Sequence, residues 1–311
     1  MKSPTEIKLA VEALKRGDLV AFPTETVYGL GADATSDQAV AKLFAAKGRP
    51  SFNPLISHVP EAQAAFALGT FSTDAKKLAA AFWPGPLTIV VPRAAKCPVS
   101  LLASAGLPSI ALRVPDHPLA LELLRAVDRP IVAPSANLSG RVSPTTAAHV
   151  KRGLGKKVSV ILDGGPCSVG VESTVVSLMK THATLLRPGG LSRREIEQAL
   201  GHSLEVEEDS EQPHSPGQME SHYAPHAFLR LEATAPRKGE SYLGFGTHEN
   251  GPYTLSAQGD VIEAAANLFR MLHELDALGV KAIAVAPIPH EGLGEAINDR
   301  LRRAAAPRPE T

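Results

Sequence analysis

Short apolar runs alternate with amphipathic stretches through the first two thirds of the chain. The apolar runs are rich in Val, Ile and Leu, and they predict strands at residues 19–22, 55–59, 87–91, 110–114, 131–133, 158–162 and 174–178. Helical spacing of apolar residues predicts helices at 40–44, 78–82 and 119–127, after an earlier helix that ends before Gly17. This order of strands and helices predicts an α/β domain.

Two capping-box motifs predict where helices begin. Ser3 and Glu6 have the required spacing, and the proline between them suits the first position of a helix. Ser192 and Glu195 repeat the spacing before a helix that we expect to end near Gly201. The α/β domain should therefore have a helix at each end.

A second, shorter pattern follows residue 228. It predicts strands at 228–231, 242–245 and 282–286 and helices at 261–278 and 293–303, an order that fits a smaller Rossmann-like α/β domain. The intervening segment is acidic and contains proline, which is typical of a linker. The predicted organisation is a first domain over residues 1–203, a linker over 204–227, a second domain over 228–303 and a frayed tail over 304–311.

Composition narrows the possible functions. A chain of 311 residues with 44% hydrophobic residues can fill two cores. Its 32 basic and 32 acidic residues cancel, so no overall positive field favours stable tRNA binding. Cys97 and Cys167 form no C-x-x-C pair, which argues against a zinc ribbon or a dithiol site. No apolar run approaches the ~18 residues of a membrane span, so we expect a soluble, cytoplasmic protein without membrane partners.

Polar residues concentrate in clusters at predicted strand ends and loops. PTETVYGLG at residues 23–31 follows the first strand directly, and KGRP occupies residues 47–50. APSANLSGRVSPT at 133–145 and ESTVV at 172–176 come later in the chain. Hydroxyls, carboxylates and cations at this density are unusual for structural turns, so we expect a functional site.

The KGRP cluster has the chemistry of a phosphate site. Lys47 and Arg49 lie at the end of an amphipathic helix, in a loop that Pro50 stiffens, and could bind a triphosphate. Alone, the pair is more typical of a solvated basic helix end, and only the accompanying clusters favour phosphate. His58 taken singly is more typical of a core histidine.

Other motifs resemble known sites but lack essential residues. Residues 29–31, GLG, begin like a dinucleotide fingerprint, although threonine, glutamate and tyrosine crowd this turn. His222 and His226 have zinc-pair spacing, but Pro225 would break the required helix. GLGEAINDRL at 292–301 could bind phosphate at a helix N-terminus or simply form a tight turn, and we assign it no ligand.

The polar clusters resemble those of the threonylcarbamoyl-AMP synthase family in its two-domain form. The likeness extends to PLISHV, FWPGPLT, SIALRVP, DGG, LRPGG, SPGQMESHYAPH and GLGEAINDRL, and so covers nearly the whole chain. It implies a YrdC-like twisted mixed open sheet with helices, joined by a long linker to a smaller C-terminal Rossmann-like α/β domain. It also implies synthesis of L-threonylcarbamoyl-AMP and pyrophosphate from L-threonine, bicarbonate or CO2, and ATP, for threonylcarbamoyladenosine next to the tRNA anticodon.

The resemblance also implies which residues contact each substrate. Those implied for L-threonine are Thr26, His58, Arg113, Ala133 and Ser173. Those implied for ATP are Lys47, Arg49, Asn53, Ser109, Ser135, Ser143, Arg187 and Tyr223. Lys47 and Arg49 would act catalytically by neutralising developing charge, without a protein nucleophile. Mg²⁺ would be held mainly by the ATP phosphates, so we name no protein metal ligand.

The linker is expected to act as a lid. SPGQMESHYAPH carries Met219, Tyr223 and two histidines, whereas an inert spacer would contain mainly Gly, Ser, Pro or charges. The resemblance places Tyr223 against the nucleotide; the alternative is that it docks the two domains together. Downstream tRNA threonylcarbamoyl transferase proteins are the expected partners. A double-stranded RNA-binding module and a carbamoyltransferase of the hydrogenase-maturation type are the alternative functions.

Overall fold

The computed structural model describes residues 4–206, 221–246 and 252–307. Its helices are α1 Pro4–Lys15, α2 Asp37–Lys47, α3 Ala62–Phe66, α4 Thr73–Phe82, α5 Pro118–Val127, α6 Ala147–Leu154, α7 Arg193–Leu200, α8 Val261–Ala277 and α9 Gly294–Ala305. Its strands are β1 Val20–Phe22, β2 Gly29–Asp33, β3 Ile56–His58, β4 Leu87–Pro92, β5 Ser109–Arg113, β6 Ile131–Val132, β7 Val160–Ile161, β8 Thr174–Ser177, β9 Thr184–Arg187, β10 Glu205–Val206, β11 Phe228–Arg230, β12 Glu240–Gly244, β13 Tyr253–Thr254 and β14 Ala282–Val285.

The described strands form two sheets. The large sheet has the order β10-β9-β8-β4-β5-β3-β6-β2-β1-β7 and mixes parallel and antiparallel pairs, such as β3 with β5 and β4 with β5. The small sheet has the order β11-β14-β12-β13, and its pairs are parallel. The predicted fold class, a mixed α/β sheet with a second, smaller α/β unit, is therefore confirmed.

The apolar core of the second unit extends into the first. Helices α8 and α9 pack against the small sheet through residues such as Phe269 and Ile297. The same buried cluster includes Val27 and Val142 from loops of the first unit and Tyr223 from the linker. The C-terminal unit therefore covers the loops that follow β1 and β6.

The structure adds elements that the sequence analysis did not predict, among them β2, β9, β10, β13, α3 and α6. Strand β2 contains two glycines, and a Cβ at Gly31 would lie 2.9 Å from the ring of Phe22 on β1. Only glycine therefore allows these strands to pair over that ring. The GLG sequence serves strand packing here instead of opening a helix.

The predicted helix ends and linker have different outcomes. The Ser192–Glu195 capping box is confirmed, and α7 ends at a left-handed Gly201. Ser3 lies outside the described residues. So do residues 207–220 of the linker, which include Met219. Strand β10 extends the large sheet just past the predicted domain end at 203, and α9 includes residues of the predicted tail. None of the described helices is both long and apolar enough to cross a membrane.

Candidate active site

A small cavity lies where the large sheet, its loops and the linker meet. Its volume is about 40 Å³. Five of its lining residues, which we call the threonine end, are those predicted to contact L-threonine: Thr26, His58, Arg113, Ala133 and Ser173. Four others, which we call the nucleotide end, are those predicted to contact ATP: Arg49, Ser135, Arg187 and Tyr223. Residues from distant segments of the chain thus converge on one cavity.

The hydroxyl of Thr26 is oriented by a hydrogen-bond chain. Thr24 Oγ1 donates to the carbonyl oxygen of Val27 at 2.7 Å, which uses the only hydrogen of that hydroxyl. At 2.8 Å from Thr24 Oγ1, Thr26 Oγ1 must therefore be the donor between the two hydroxyls. Its lone pairs are left to accept a hydrogen bond, which suits the amine of an amino acid.

Arg113 and Glu25 form a buried ion pair at the threonine end. Arg113 Nη2 lies 2.5 Å from Glu25 Oε1, and Arg113 Nε donates to the carbonyl oxygen of Gly85 at 3.3 Å. The backbone N–H of Asp116 donates to Glu25 Oε2 at 3.0 Å. Arg113 Nη1 has no hydrogen bond to any described residue, so it can donate to a ligand carboxylate while Glu25 holds the guanidinium in place.

His58 is an uncharged member of the threonine end. It is 2% exposed, and its Nδ1 lies 3.2 Å from the carbonyl oxygen of Ile56. Burial, and then the charge of Arg113, lower the pKa of His58 from 6.5 to about 3. Its edge-on contact with Phe22, at 6.3 Å between ring centroids, continues into the apolar core. His58 therefore shapes the cavity as a neutral ring at physiological pH.

Ser173 connects the two ends of the cavity. Its hydroxyl lies 2.8 Å from Thr88 Oγ1 and accepts a hydrogen bond from Arg187 Nη2 at 3.2 Å. Arg187 also donates to the carbonyl oxygen of Ser173 from Nε, at 3.2 Å, and from Nη2, at 2.8 Å. A cation of the nucleotide end is thus held by a residue of the threonine end.

Arg49 and Asn53 form a second fixed pair at the nucleotide end. Arg49 Nη2 donates to Asn53 Oδ1 at 2.6 Å and to the carbonyl oxygen of Pro54 at 3.1 Å. Burial lowers the pKa of Arg49 from 12.5 to about 10, so it stays charged at neutral pH. Asn53 Nδ2 is buried and has no hydrogen-bond partner among the described residues. Asn53 does not itself line the cavity, so its contact with ATP stays a prediction.

Lys47 holds the loop that contains Ser135. Its Nζ donates to the carbonyl oxygens of Ser135 and Asn137, both at 2.5 Å. The side chain is 2% exposed, and burial, followed by the charge of Arg49, lowers the pKa of Lys47 well below its usual value. Lys47 therefore supports the loop from behind, and its contact with a triphosphate stays a prediction.

Ser143 and Ser109 lie outside the lining of this cavity. Ser143 Oγ donates to Glu172 Oε1 at 2.5 Å, so this hydroxyl reaches the cavity only through Glu172. Ser109 lines a separate recess with Pro54 and Ser57. It lies on the same face of β5 as Arg113, four residues or roughly 13 Å away. The contacts of Ser143 and Ser109 with ATP stay predictions. A contact with Ser109 requires a ligand long enough to reach from the cavity to this separate recess.

The linker contributes His222 and Tyr223 to the cavity. Tyr223 adopts a left-handed backbone conformation with φ of 64° and is 1% exposed. Its ring stacks on Phe269 of α8 with centroids 5.6 Å apart. His222 Nδ1 and the Tyr223 hydroxyl are buried and have no hydrogen-bond partner among the described residues. Both atoms are therefore free to bind a ligand that enters the cavity.

The carboxylates near the cavity decide whether its side chains could bind a metal ion directly. Both carboxylates near the cavity are engaged: Glu25 by Arg113 and Asp116, and Glu172 by Ser143 and Arg300. The described residues contain no cluster of three or more His, Cys, Asp or Glu side chains that could hold a metal. These two carboxylates are therefore already paired, and Mg²⁺ carried by nucleotide phosphates stays a prediction.

The sequence analysis missed Glu25, Glu172 and His222 as members of the site. All three lie within the quoted clusters, beside residues that were assigned. Arg49, Arg113 and Arg187 outnumber the two carboxylates near the cavity, so the site is locally positive in a chain of zero formal charge. The fold and site together define an α/β protein with a buried, positively charged cavity.

Comparisons with known proteins identify the family. Residues 12–189 match the family described as "Telomere recombination", and residues 191–306 match "Threonylcarbamoyl-AMP synthase, C-terminal domain". The chain is 39% identical to threonylcarbamoyl-AMP synthase of Pyrococcus abyssi over 96% of this chain and 94% of that relative. It is 40% identical to threonylcarbamoyl-AMP synthase of Bacillus subtilis over 97% of this chain and 94% of that relative.

A solved structure agrees with these sequence matches. The crystal structure of P. abyssi Sua5 complexed with L-threonine superposes with a TM-score of 0.90 and 38% identity, covering 98% of this chain and 95% of that chain. The chain belongs to the threonylcarbamoyl-AMP synthase family, in its two-domain form.

Proposed function

We propose that this chain joins L-threonine, bicarbonate or CO2, and ATP to give L-threonylcarbamoyl-AMP and pyrophosphate. The observation that carries the proposal is one cavity that holds all five candidate threonine residues beside four candidate ATP residues. The product would feed threonylcarbamoyladenosine formation on tRNA by downstream transferase proteins. Those partners and a cytoplasmic location remain predictions.

The threonine end supplies complementary partners for the carboxylate and the amine of the amino acid. Arg113 Nη1 donates to the carboxylate, and the lone pairs of Thr26 accept from the amine. The methyl group of Ala133 and the uncharged ring of His58 face the rest of the ligand. This arrangement holds the amine nitrogen in one orientation, which lowers the entropic cost of reaction.

The chemistry then needs positioning and charge neutralisation. The ammonium group loses one proton to solvent, its nitrogen bonds to the carbon of CO2, and a second proton leaves to solvent to give a carbamate. A carbamate oxygen attacks the α-phosphorus while the bond to the bridging oxygen of the β-phosphate breaks and pyrophosphate leaves. Arg49 and Arg187 at the nucleotide end neutralise the charge on the phosphates, and Lys47, at the end of α2, holds the loop that carries Ser135. Mg²⁺, when bound through ATP, supplies further neutralisation.

A product assay tests the proposal. With ATP, bicarbonate and threonine, pyrophosphate and an AMP-linked product should appear together, and omission of threonine should abolish both. ADP and phosphate released at a rate independent of threonine would overturn the proposal. Duplex RNA binding with a steep salt dependence, without pyrophosphate release, would favour the RNA-binding alternative. The carbamoyltransferase alternative requires paired C-x-x-C motifs, and the chain has only 2 cysteines.

A further inference from the structure

Arg300 crosses from the C-terminal unit to the candidate active site. It lies on α9 and is 1% exposed, and its Nε donates to Glu172 Oε2 at 2.9 Å. Its Nη1 donates to the carbonyl oxygen of Pro188 at 2.8 Å and to Asp299 Oδ2 at 2.7 Å. The guanidinium is therefore fixed by three oxygens, two of which belong to the first unit.

Glu172 brings a negative charge to the cavity. It is 6% exposed and lines the cavity beside Ser173 and Arg187. Its two oxygens have different partners, since Oε2 accepts from Arg300 and Oε1 accepts from Ser143 Oγ. Without Arg300, a buried carboxylate would face the phosphates of the incoming nucleotide, and like charges repel strongly where water is excluded.

The C-terminal unit also holds Ser143 by a second route. His273 Nε2, on α8, lies 3.1 Å from the carbonyl oxygen of Ser143, and the ring therefore donates this hydrogen bond. Arg300 fixes the side chain of the same serine indirectly, because Glu172 accepts from its hydroxyl. Two residues of the C-terminal unit thus converge on one residue of the candidate nucleotide loop.

Arg300 also contacts the linker. Its guanidinium carbon lies 5.2 Å from the centroid of the Tyr223 ring, within the range of a cation–π interaction. One buried side chain therefore touches both the acidic group of the cavity and the aromatic residue that closes its nucleotide end. Its position explains how a C-terminal unit without cavity-lining residues of its own can influence the reaction.

We propose that Arg300 is a positioning residue that neutralises Glu172 and thereby makes the cavity accept ATP. The inference rests on the proposed function, because it assumes that the nucleotide end binds a triphosphate. The proposed role of Arg300 depends on its positive charge and not only on its packing. Removing the cation alone should therefore harm nucleotide binding more than removing the cation together with the carboxylate.

The test compares Arg300→Met with the double variant Glu172→Gln, Arg300→Met in the full chain. Arg300→Met should raise the KM for ATP by about tenfold or more, because it leaves a buried charge unpaired, while the KM for threonine changes less than about threefold. The double variant should recover most of the ATP affinity. Arg300→Lys, which keeps the charge, should lie between wild type and Arg300→Met.

The matched control is Arg302→Ala on the same helix. Arg302 has 67% of its side chain exposed and pairs with Asp299 at 3.2 Å, without reaching Glu172. Its loss should leave both KM values unchanged. If Arg300→Met fails to fold, the double variant and Arg300→Lys decide, and unequal KM changes for the two substrates still support the proposal.

Two outcomes would overturn the inference. Equal increases of both KM values in Arg300→Met would indicate general loss of structure, and a double variant no better than Arg300→Met would exclude the charge mechanism. Failure of the proposed function is distinguishable, because the wild-type chain would then neither bind ATP in calorimetric titration nor release pyrophosphate with threonine. A wild type that does both, with variants that show no recovery, would refute the role of Arg300 alone.

Discussion

The threonine end and the nucleotide end of the cavity differ in the segments that supply them, because only the nucleotide end includes Tyr223 from the linker. Thr26 and Arg113 at the threonine end are held by the protein and keep hydrogen-bonding capacity for a ligand. At the nucleotide end, Arg49 binds Asn53, and the adjoining Lys47 binds loop carbonyls. The cavity of about 40 Å³ is far smaller than the pockets on the order of 300 Å³ or more that hold drug-sized ligands, so it must widen when a nucleotide enters.

The two ends of the cavity therefore differ in how far they must rearrange when their substrates bind. The threonine end is arranged for its ligand before binding, so side-chain substitutions there should change affinity directly. The nucleotide end contains Tyr223 from the linker, and we expect this residue to move when ATP enters. Substitutions at the threonine end and at the nucleotide end should therefore have different effects on the two substrates.

Arg113→Ala should weaken threonine binding far more than ATP binding. The substitution removes the candidate carboxylate partner and leaves Glu25 buried, 6% exposed, without its cation. Loss of a buried charged partner typically costs about 2 to 5 kcal/mol, which corresponds to at least about tenfold in affinity. Calorimetric titration with each substrate in turn measures the two losses.

Arg129→Ala is the matched control for Arg113→Ala. Arg129 also pairs with a buried carboxylate, Asp33, at 2.8 Å, but it does not line the cavity. Its removal should leave both affinities unchanged. Equal losses for threonine and ATP in Arg113→Ala would contradict the separation of the cavity into two ends.

Substitution of Tyr223 tests whether the linker acts as a lid. Tyr223→Ala should accelerate loss of the bound product severalfold, because the ring that covers the nucleotide end is removed. Tyr223→Phe keeps the ring and removes only the hydroxyl, so it separates coverage from a direct hydrogen bond. Single-turnover product release measures both variants.

Limited proteolysis supplies an independent measure of the same motion. The expected cleavage between Glu208 and Gln218 lies outside the described residues and should be slowed by ATP with threonine. Unchanged cleavage on ligand addition, together with full activity of Tyr223→Ala, would reduce the linker to a tether. Neither linker cleavage nor Tyr223→Ala should change the affinity of the threonine end for threonine.

The smallest expected effect is the pH dependence of threonine binding. Since the pKa of His58 is lowered to about 3, its ring stays neutral, and affinity should change less than about twofold between about pH 5.5 and about 7.5. An unfolded chain binds a proton at His58 below its usual pKa of 6.5, so the contribution of His58 to stability is lost as pH falls from 6.5 toward about 3.

Two measurements check this prediction. Threonine titration across that pH range reports the charge of His58 in the folded protein, and chemical denaturation at several pH values reports its contribution to the free energy of unfolding. His58→Gln should flatten the acid slope of stability. A change in threonine affinity centred near the ordinary histidine pKa would show that His58 titrates within the site.

Much of the candidate site could be predicted because its chemistry is local in sequence. Lys47 is the last residue of an amphipathic helix, and Arg49 lies just past the left-handed Gly48 that ends it. Likewise, Arg113 ends an apolar strand and Ser173 directly precedes another. Short-range periodicity and capping were sufficient to place these residues beside predicted secondary structure.

Which side chains form hydrogen bonds or ion pairs with one another could not be predicted in the same way. Arg113 was expected to meet a substrate carboxylate, yet Glu25 already holds one of its nitrogens. The hydroxyl of Ser143 was assigned to ATP, yet it donates to Glu172. Sequence patterns identify which groups carry charge or donors, but they do not say which of several groups will be closest after folding.

The sequence by itself determined the fold class, many of the helices and strands, the polar clusters and the family, because helical and strand periods, caps and motifs depend on neighbouring residues. Only the tertiary structure decided which charges neutralise one another. The Glu25–Arg113 and Glu172–Arg300 pairs join residues 88 and 128 positions apart. Burial excludes water from these groups, so each charge requires the partner that the fold brings to it.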